Sequence, residues 1–125
     1  MGRVTVTIEV GDPQEQRFQE VEVIVDTGAT LSAIPADILR NLGIQVRRTD
    51  NAKLADGTRM PVEIGGATIR VEGVTISTDV IFAQPGSPGL LGVVALETAD
   101  LGVDPKMRKL IRLDGPDMLT SQPRD

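Results

Sequence analysis

Asp26 stands at the end of an apolar run, Val23-Ile24-Val25, and is followed by Thr27, Gly28 and Ala29. A carboxylate that ends an otherwise apolar strand bears a desolvation cost unless something pairs with it or uses it. A carboxyl group can take a proton from water or lend one to a carbonyl oxygen, so general acid–base chemistry is what this position could do. Competing chemistries are few. The chain has no His and no Cys, which removes Ser-His-Asp arrangements, thiol nucleophiles, disulfides and Cys/His zinc sites together. Tyr is absent as well, leaving carboxylates and Lys for proton transfer. Taken alone, Asp-Thr-Gly is thin, since average residue usage produces it by chance in roughly 2 or 3 chains per hundred of this length. A strand-ending turn with Asp26 bonded to backbone amides would account for it equally well.

The elements around this tripeptide are those of a small β domain. Val4, Val6, Ile8 and Val10 alternate with polar residues, the period-2 pattern of a half-buried strand. Gly11-Asp12-Pro13 interrupts it, and Phe18 to Val25 reads as the returning strand of a hairpin. After small polar residues from Asp26 to Ser32, Pro35 suits a first helical position, and Ala36 to Leu42 reads as a short helix closed by Gly43. Ile44 and Val46 open another extended segment. Leu54-Ala55-Asp56-Gly57-Thr58 contains an Asp-Gly hairpin signal, and Gly65-Gly66 suggests a further turn. Strand patterns recur at Ile69 to Val71 and Val74 to Phe82. Leu90-Leu91-Gly92 follows a Pro/Gly loop, then about two helical turns over Val94 to Asp100. Leu101 to Val103 and Lys109 to Leu113 read as two last short strands. Residues 1–115 are expected to form one domain, with 116–125 a loose polar tail.

The run Val23 to Thr30, with Leu90-Leu91-Gly92 before a short helix, resembles the retropepsin family, the retroviral-type (clan AA) single-domain aspartic proteases and their cellular relatives. The resemblance spans about Val4 to Leu113. It implies an all-β, single-lobe closed barrel of the acid protease fold, with one or two short helices and a flap hairpin. It implies a homodimeric aspartic endopeptidase in which Asp26 from each subunit forms the catalytic dyad and activates a water. Thr27, Gly28 and Ala29 become the active-site loop, and Leu90, Leu91 and Gly92 the supporting loop. Leu54, Ala55, Asp56, Gly57 and Thr58 fall where the flap over a peptide or protein substrate should be, with Asp56-Gly57 at its tip. No cofactor and no metal are expected. Two departures stand out: Thr30 and Leu31 replace the acidic residues that follow the loop in retroviral enzymes, and Val93 stands where they carry Arg. The acidic–Arg pair that helps bind the retroviral dimer is therefore absent, and dimerisation must use other contacts.

Composition narrows the partners. A net charge of −5 and a pI near 4.7 speak against nucleic acid. The cluster Lys106, Arg108, Lys109 and Arg112 reads as a solvated strand face. The first residues start directly on a strand pattern, and no apolar run reaches the 18 residues of a membrane span, so a cytoplasmic protein without membrane contact is expected. Two other readings compete. One keeps the fold but makes the chain a catalytically weak or inactive dimerisation or peptide-binding module. The other is an unrelated β-barrel interaction domain in which Asp26 is structural.

Overall fold

The computed structural model describes residues 3–113 of the chain; the expected tail lies outside them. β1 (Thr5–Gly11) and β2 (Phe18–Val25) form the expected hairpin, with Thr5 opposite Ile24 and Gly11 opposite Phe18. Next come β3 (Ser32–Pro35) and helix α1 (Ala36–Asn41), then β4 (Arg48–Lys53), the long β5 (Arg59–Val71) and β6 (Val74–Ala83). β7 (Gly89–Leu91), helix α2 (Val93–Thr98) and a separate ribbon of β8 (Leu101–Asp104) with β9 (Lys109–Arg112) complete the chain.

The main sheet runs β1-β2-β7-β3-β6-β5, and β5 then pairs with β1 again through Glu9–Arg70, Val10–Ile69 and Gly11–Thr68. Six strands thus close into a barrel, with two short helices outside the ring of strands. Closure leaves the core a single interior, into which the apolar positions of each strand point alternately. Ile8, Val10, Val23, Ile34, Ile69, Val80 and Leu91 are each no more than 1% exposed. At about 1.5–3 kcal/mol for each fully buried aliphatic side chain, this shared interior is what fixes the register of the strands bearing the site.

β4 lies outside the ring. It pairs only with the first half of β5, from Arg48–Ile64 to Lys53–Arg59, while β6 takes the second half from Ile64 onward. The segment Arg48–Ile64 is therefore a two-stranded arm projecting from the barrel.

Several sequence expectations need correction. Gly65-Gly66 is no turn. Both glycines are buried inside β5, where a Cβ on Gly65 would stand 2.6 Å from the Gln45 carbonyl oxygen and one on Gly66 2.8 Å from the Arg47 guanidinium. Glycine inside a strand marks close approach of other groups here, as it often does. The reversal falls instead at Glu72-Gly73, whose φ of 49° and 77° give the two left-handed positions of a type I′ turn. That geometry was expected at Asp56-Gly57, where only Gly57 is left-handed (φ 88°) and the loop spans Leu54–Thr58. Ser32–Pro35 is a strand, hidden from pattern reading by its four-residue length. Pro35 ends that strand and caps α1 from outside with φ −50° and ψ 134°, rather than opening the helix. Gly43 follows the helix end with φ 78°, its N–H donating to the Arg40 carbonyl at 2.9 Å. Ile44 is buried, but Ile44–Val46 forms no strand; β4 starts only at Arg48. α2 covers Val93–Thr98 rather than Val94–Asp100, because Asp100 is left-handed (φ 56°).

No helix among the described residues is long and apolar enough to cross a membrane.

Candidate active site

β2 delivers Asp26 to the end of the barrel. The Asp26 N–H donates to the Leu91 carbonyl of β7 at 3.0 Å, continuing the parallel pairing of Val25 with Leu91 by one residue. The chain then turns tightly: the Ala29 N–H donates to the Asp26 carbonyl at 3.1 Å, and the Gly28 N–H to Asp26 Oδ1 at 2.9 Å. Asp26 is half-buried, whereas Thr27 and Gly28 are exposed. Among the described residues, Oδ2 of Asp26 and the hydroxyl of Thr27 have no hydrogen-bond partner. Gly28 is not left-handed; its Cβ would lie 3.2 Å from Asp26 Oδ1, so the missing side chain keeps space beside the carboxylate.

The rest of the loop is bolted to the start of α2. The Val93 and Val94 N–H groups, free of intrahelical partners at a helix start, donate to the Ala29 and Thr30 carbonyls at 2.8 and 3.0 Å. The Gly92 N–H donates to Oγ of Ser32 at 2.9 Å, and Ser32 is 1% exposed. Gly92 has to be glycine for this contact, since a Cβ would sit 2.7 Å from the Leu31 carbonyl carbon and oxygen and 2.9 Å from the Ala29 oxygen. Two segments some sixty residues apart are thus joined by backbone, and the expected loop and supporting loop come together. Leu91 is fully buried behind them, while Leu90 faces outward, half-buried.

Beside this loop lies a cleft of about 390 Å³. Gly28, Ala29, Thr30, Leu31, Ala33 and Leu90 form one side, Ile81 and Ile64 the barrel wall, and Asp50, Asn51, Ala52, Lys53 and Val62 the arm side. The five residues expected to cover substrate, Leu54 to Thr58, do not line it. They form the exposed turn at the arm's end, closed by Leu54 N–H to the Thr58 carbonyl at 2.7 Å and Gly57 N–H to the Leu54 carbonyl at 2.9 Å. Asp56 is occupied there: its Oδ1 accepts from the Thr58 hydroxyl at 2.6 Å and the Thr58 N–H at 2.9 Å. The hydroxyl first, and then the amide, hold its carboxyl below the usual carboxylate range. Sequence reading missed the stretch Asp50–Lys53, Val62, Ile64 and Ile81. Counting the hairpin register back from the turn would have found it, because Asp50 stands opposite Val62. Among the described residues no group of three or more acidic side chains gathers closely enough to hold a metal ion.

A six-stranded closed barrel with two short helices, bearing Asp-Thr-Gly-Ala at the end of one strand, defines a retropepsin-like aspartic protease. The family described as "gag-polyprotein putative aspartyl protease" matches residues 17–98, and the chain belongs to it. Among curated proteins, none matches the chain. Among solved structures, EIAV protease complexed with the inhibitor HBY-793 is 20% identical with a TM-score of 0.57, over 77% of this chain and 86% of that one. Simian foamy virus (mac) protease is 19% identical with a TM-score of 0.51, over 73% and 91%. A Legionella pneumophila protein of unknown function is 13% identical with a TM-score of 0.52, over 86% and 92%. At such identities these likenesses speak for the fold.

Proposed function

We propose that two copies of this chain associate about a twofold axis and hydrolyse peptide bonds as an aspartic endopeptidase. The observation that carries this reading is the position of Asp26. Among the described residues its half-buried carboxylate is bonded to one amide, and the residues that follow it, Gly28 to Leu31, line a cleft with Ile64 and Ile81 in its barrel wall. One carboxylate cannot supply both an acid and a base. Twofold symmetry provides the second, because it sets each residue near the axis opposite itself.

Two carboxyl groups about 3 Å apart share one proton and titrate as a pair. The ionised Asp26 takes a proton from a bound water as the water oxygen attacks the peptide carbonyl carbon. The protonated Asp26 of the other copy donates to the carbonyl oxygen, giving a gem-diol. That intermediate collapses as the amide nitrogen gains a proton and departs. The exposed Thr27 hydroxyl, without a partner among the described residues, is available to bond across the axis to the other loop's backbone. The arm Arg48–Ile64 serves as the flap, holding an extended substrate by main-chain hydrogen bonds. Its cleft-facing residues Asp50 to Lys53, rather than its tip, touch the peptide.

A second reading, peptide binding without hydrolysis, is favoured by one feature: Val93 uses its backbone on Ala29 and offers no side-chain charge to tie the dimer. Cleavage of a peptide library by wild-type and Asp26→Asn protein, with sedimentation of both, separates the two readings. Activity should fall by on the order of 10²–10⁴ in Asp26→Asn, the range for loss of a general acid–base group. Equal cleavage by both proteins, or a strictly monomeric active species, overturns the dyad. The shared proton also places the activity optimum on the acid side of neutrality.

A further inference from the structure

A second cavity of about 390 Å³ abuts the catalytic cleft. Leu31 lines both. The partition between them is completed by Arg48, whose guanidinium joins Asp50 on the cleft side, at 3.1 Å, to Asp79 on the far side, at 3.3 Å. In this second cavity the Asp79 carboxylate therefore shares one guanidinium with Asp50. Ser77 and Thr78 are uncharged. Arg47 is the cation among the lining residues, and it makes no ion pair among the described residues.

Arg47 is also held in place. Its N–H donates to the Ile64 carbonyl at 2.8 Å, and its side chain runs along β5 to lie over Gly66. The guanidinium carbon comes within 2.8 Å of where a Cβ on Gly66 would be, so the absent side chain leaves a seat for the planar group. An Arg settled on glycine backbone at the edge of a cavity suits bidentate capture of a carboxylate.

Resting on the protease reading above, we propose that this second cavity is an outer substrate subsite selecting an acidic side chain through Arg47. In an extended peptide, side chains two residues apart share a face and lie about 6.8 Å apart. The apolar cleft beside Ala29, Leu31 and Ile81 takes one side chain. The acidic one belongs two residues farther from the scissile bond.

The test uses two peptides that differ only in Glu or Gln at that position. Their binding to Asp26→Asn protein is measured by fluorescence anisotropy, with and without Arg47→Gln. Cleavage by wild-type and Arg47→Gln protein is followed in parallel. The Glu peptide should bind about three- to fivefold more tightly, the scale of an exposed ion pair. The difference should shrink as salt rises and vanish in Arg47→Gln. Arg47→Glu should reverse the preference toward the Gln peptide. A Glu preference that survives Arg47→Gln, or no preference in wild type at low salt, overturns the subsite. Because binding is read on the Asp26→Asn protein, loss of cleavage alone would count against the protease reading and not against Arg47.

Discussion

The two walls of the cleft are built on opposite principles. The loop from Asp26 to Ser32 is tied to a distant part of the chain by backbone hydrogen bonds at Asp26, Ala29 and Thr30, and by the buried Ser32 hydroxyl. The arm from Arg48 to Ile64 has one strand neighbour per strand, largely exposed residues and, beyond its own ladder, side-chain ties of the Arg48–Asp79 kind. Backbone bonds, with the buried Ser32 hydroxyl, hold the loop of Asp26 in place; exposed ion pairs hold the arm, which is the cover in the proposed protease. The contrast suits the proposed protease, whose reacting group would stay fixed while a peptide passes in and out.

The contrast breaks most severely at Gly92. In Gly92→Ala the new methyl meets the backbone of Leu31 and Ala29, and backbone cannot swing away as a side-chain end would. We expect a loss of about 1–3 kcal/mol in urea unfolding, the range for overpacking a dense site, together with loss of cleavage, because the strain falls on the loop that carries Asp26. Full activity at unchanged stability would mean that the loop is not bolted as described. Ser32→Ala is the gentler version. It leaves the Gly92 N–H buried without an acceptor, at a cost of about 1–3 kcal/mol, but adds no bulk. Activity at low temperature should therefore survive while the midpoint falls.

The bolted wall was the legible one. Asp-Thr-Gly-Ala and Leu-Leu-Gly are written in contiguous residues whose small sizes are dictated by contacts within a few ångströms, as Gly92 against Leu31 shows. Even there, the strand Ser32–Pro35 escaped notice, since four residues carry too little periodicity and its pairing with Val80–Ala83 is nonlocal. The arm was read less well. Asp56-Gly57 marks a real reversal, yet the residues that line the cleft are set by register, which places Asp50 opposite Val62 several residues from the turn. Gly65-Gly66 misled for the same reason: its meaning lies in Gln45 and Arg47 across space rather than in its neighbours along the chain.

Arg48→Ala probes the other side of the contrast. Arg48 is about half exposed and pairs with Asp50 and Asp79, so global stability should drop by less than about 1 kcal/mol. The arm should nevertheless loosen. Amide exchange over Arg48–Lys53 should quicken while that of Val23–Val25 stays unchanged, and KM should rise more than kcat falls. Uniform quickening in both regions would show that arm and barrel open together and that the two walls do not differ.

The smallest expected effect compares two turns held by an Asp side chain. Asp12, between β1 and β2, accepts from the N–H groups of Arg17 at 2.7 Å, Gln16 at 2.8 Å and Gln14 at 3.2 Å, and is 8% exposed. The Arg17 amide contributes most to holding its carboxyl below the usual 3.8. Asp56, at the end of the arm, is exposed and among the described residues accepts from Thr58 alone. A carboxyl depressed in the folded state adds stability above its unfolded pKa, and that contribution is lost as pH falls through the folded one. The Tm difference between wild type and Asp12→Asn should therefore hold steady from about pH 7 to about pH 5 and close below about 3.8. Asp56→Asn should follow the same course with a smaller gap, because its turn caps an arm that adds little to the cooperative core. A larger gap for Asp56 than for Asp12 would place the arm inside the unit that unfolds with the barrel.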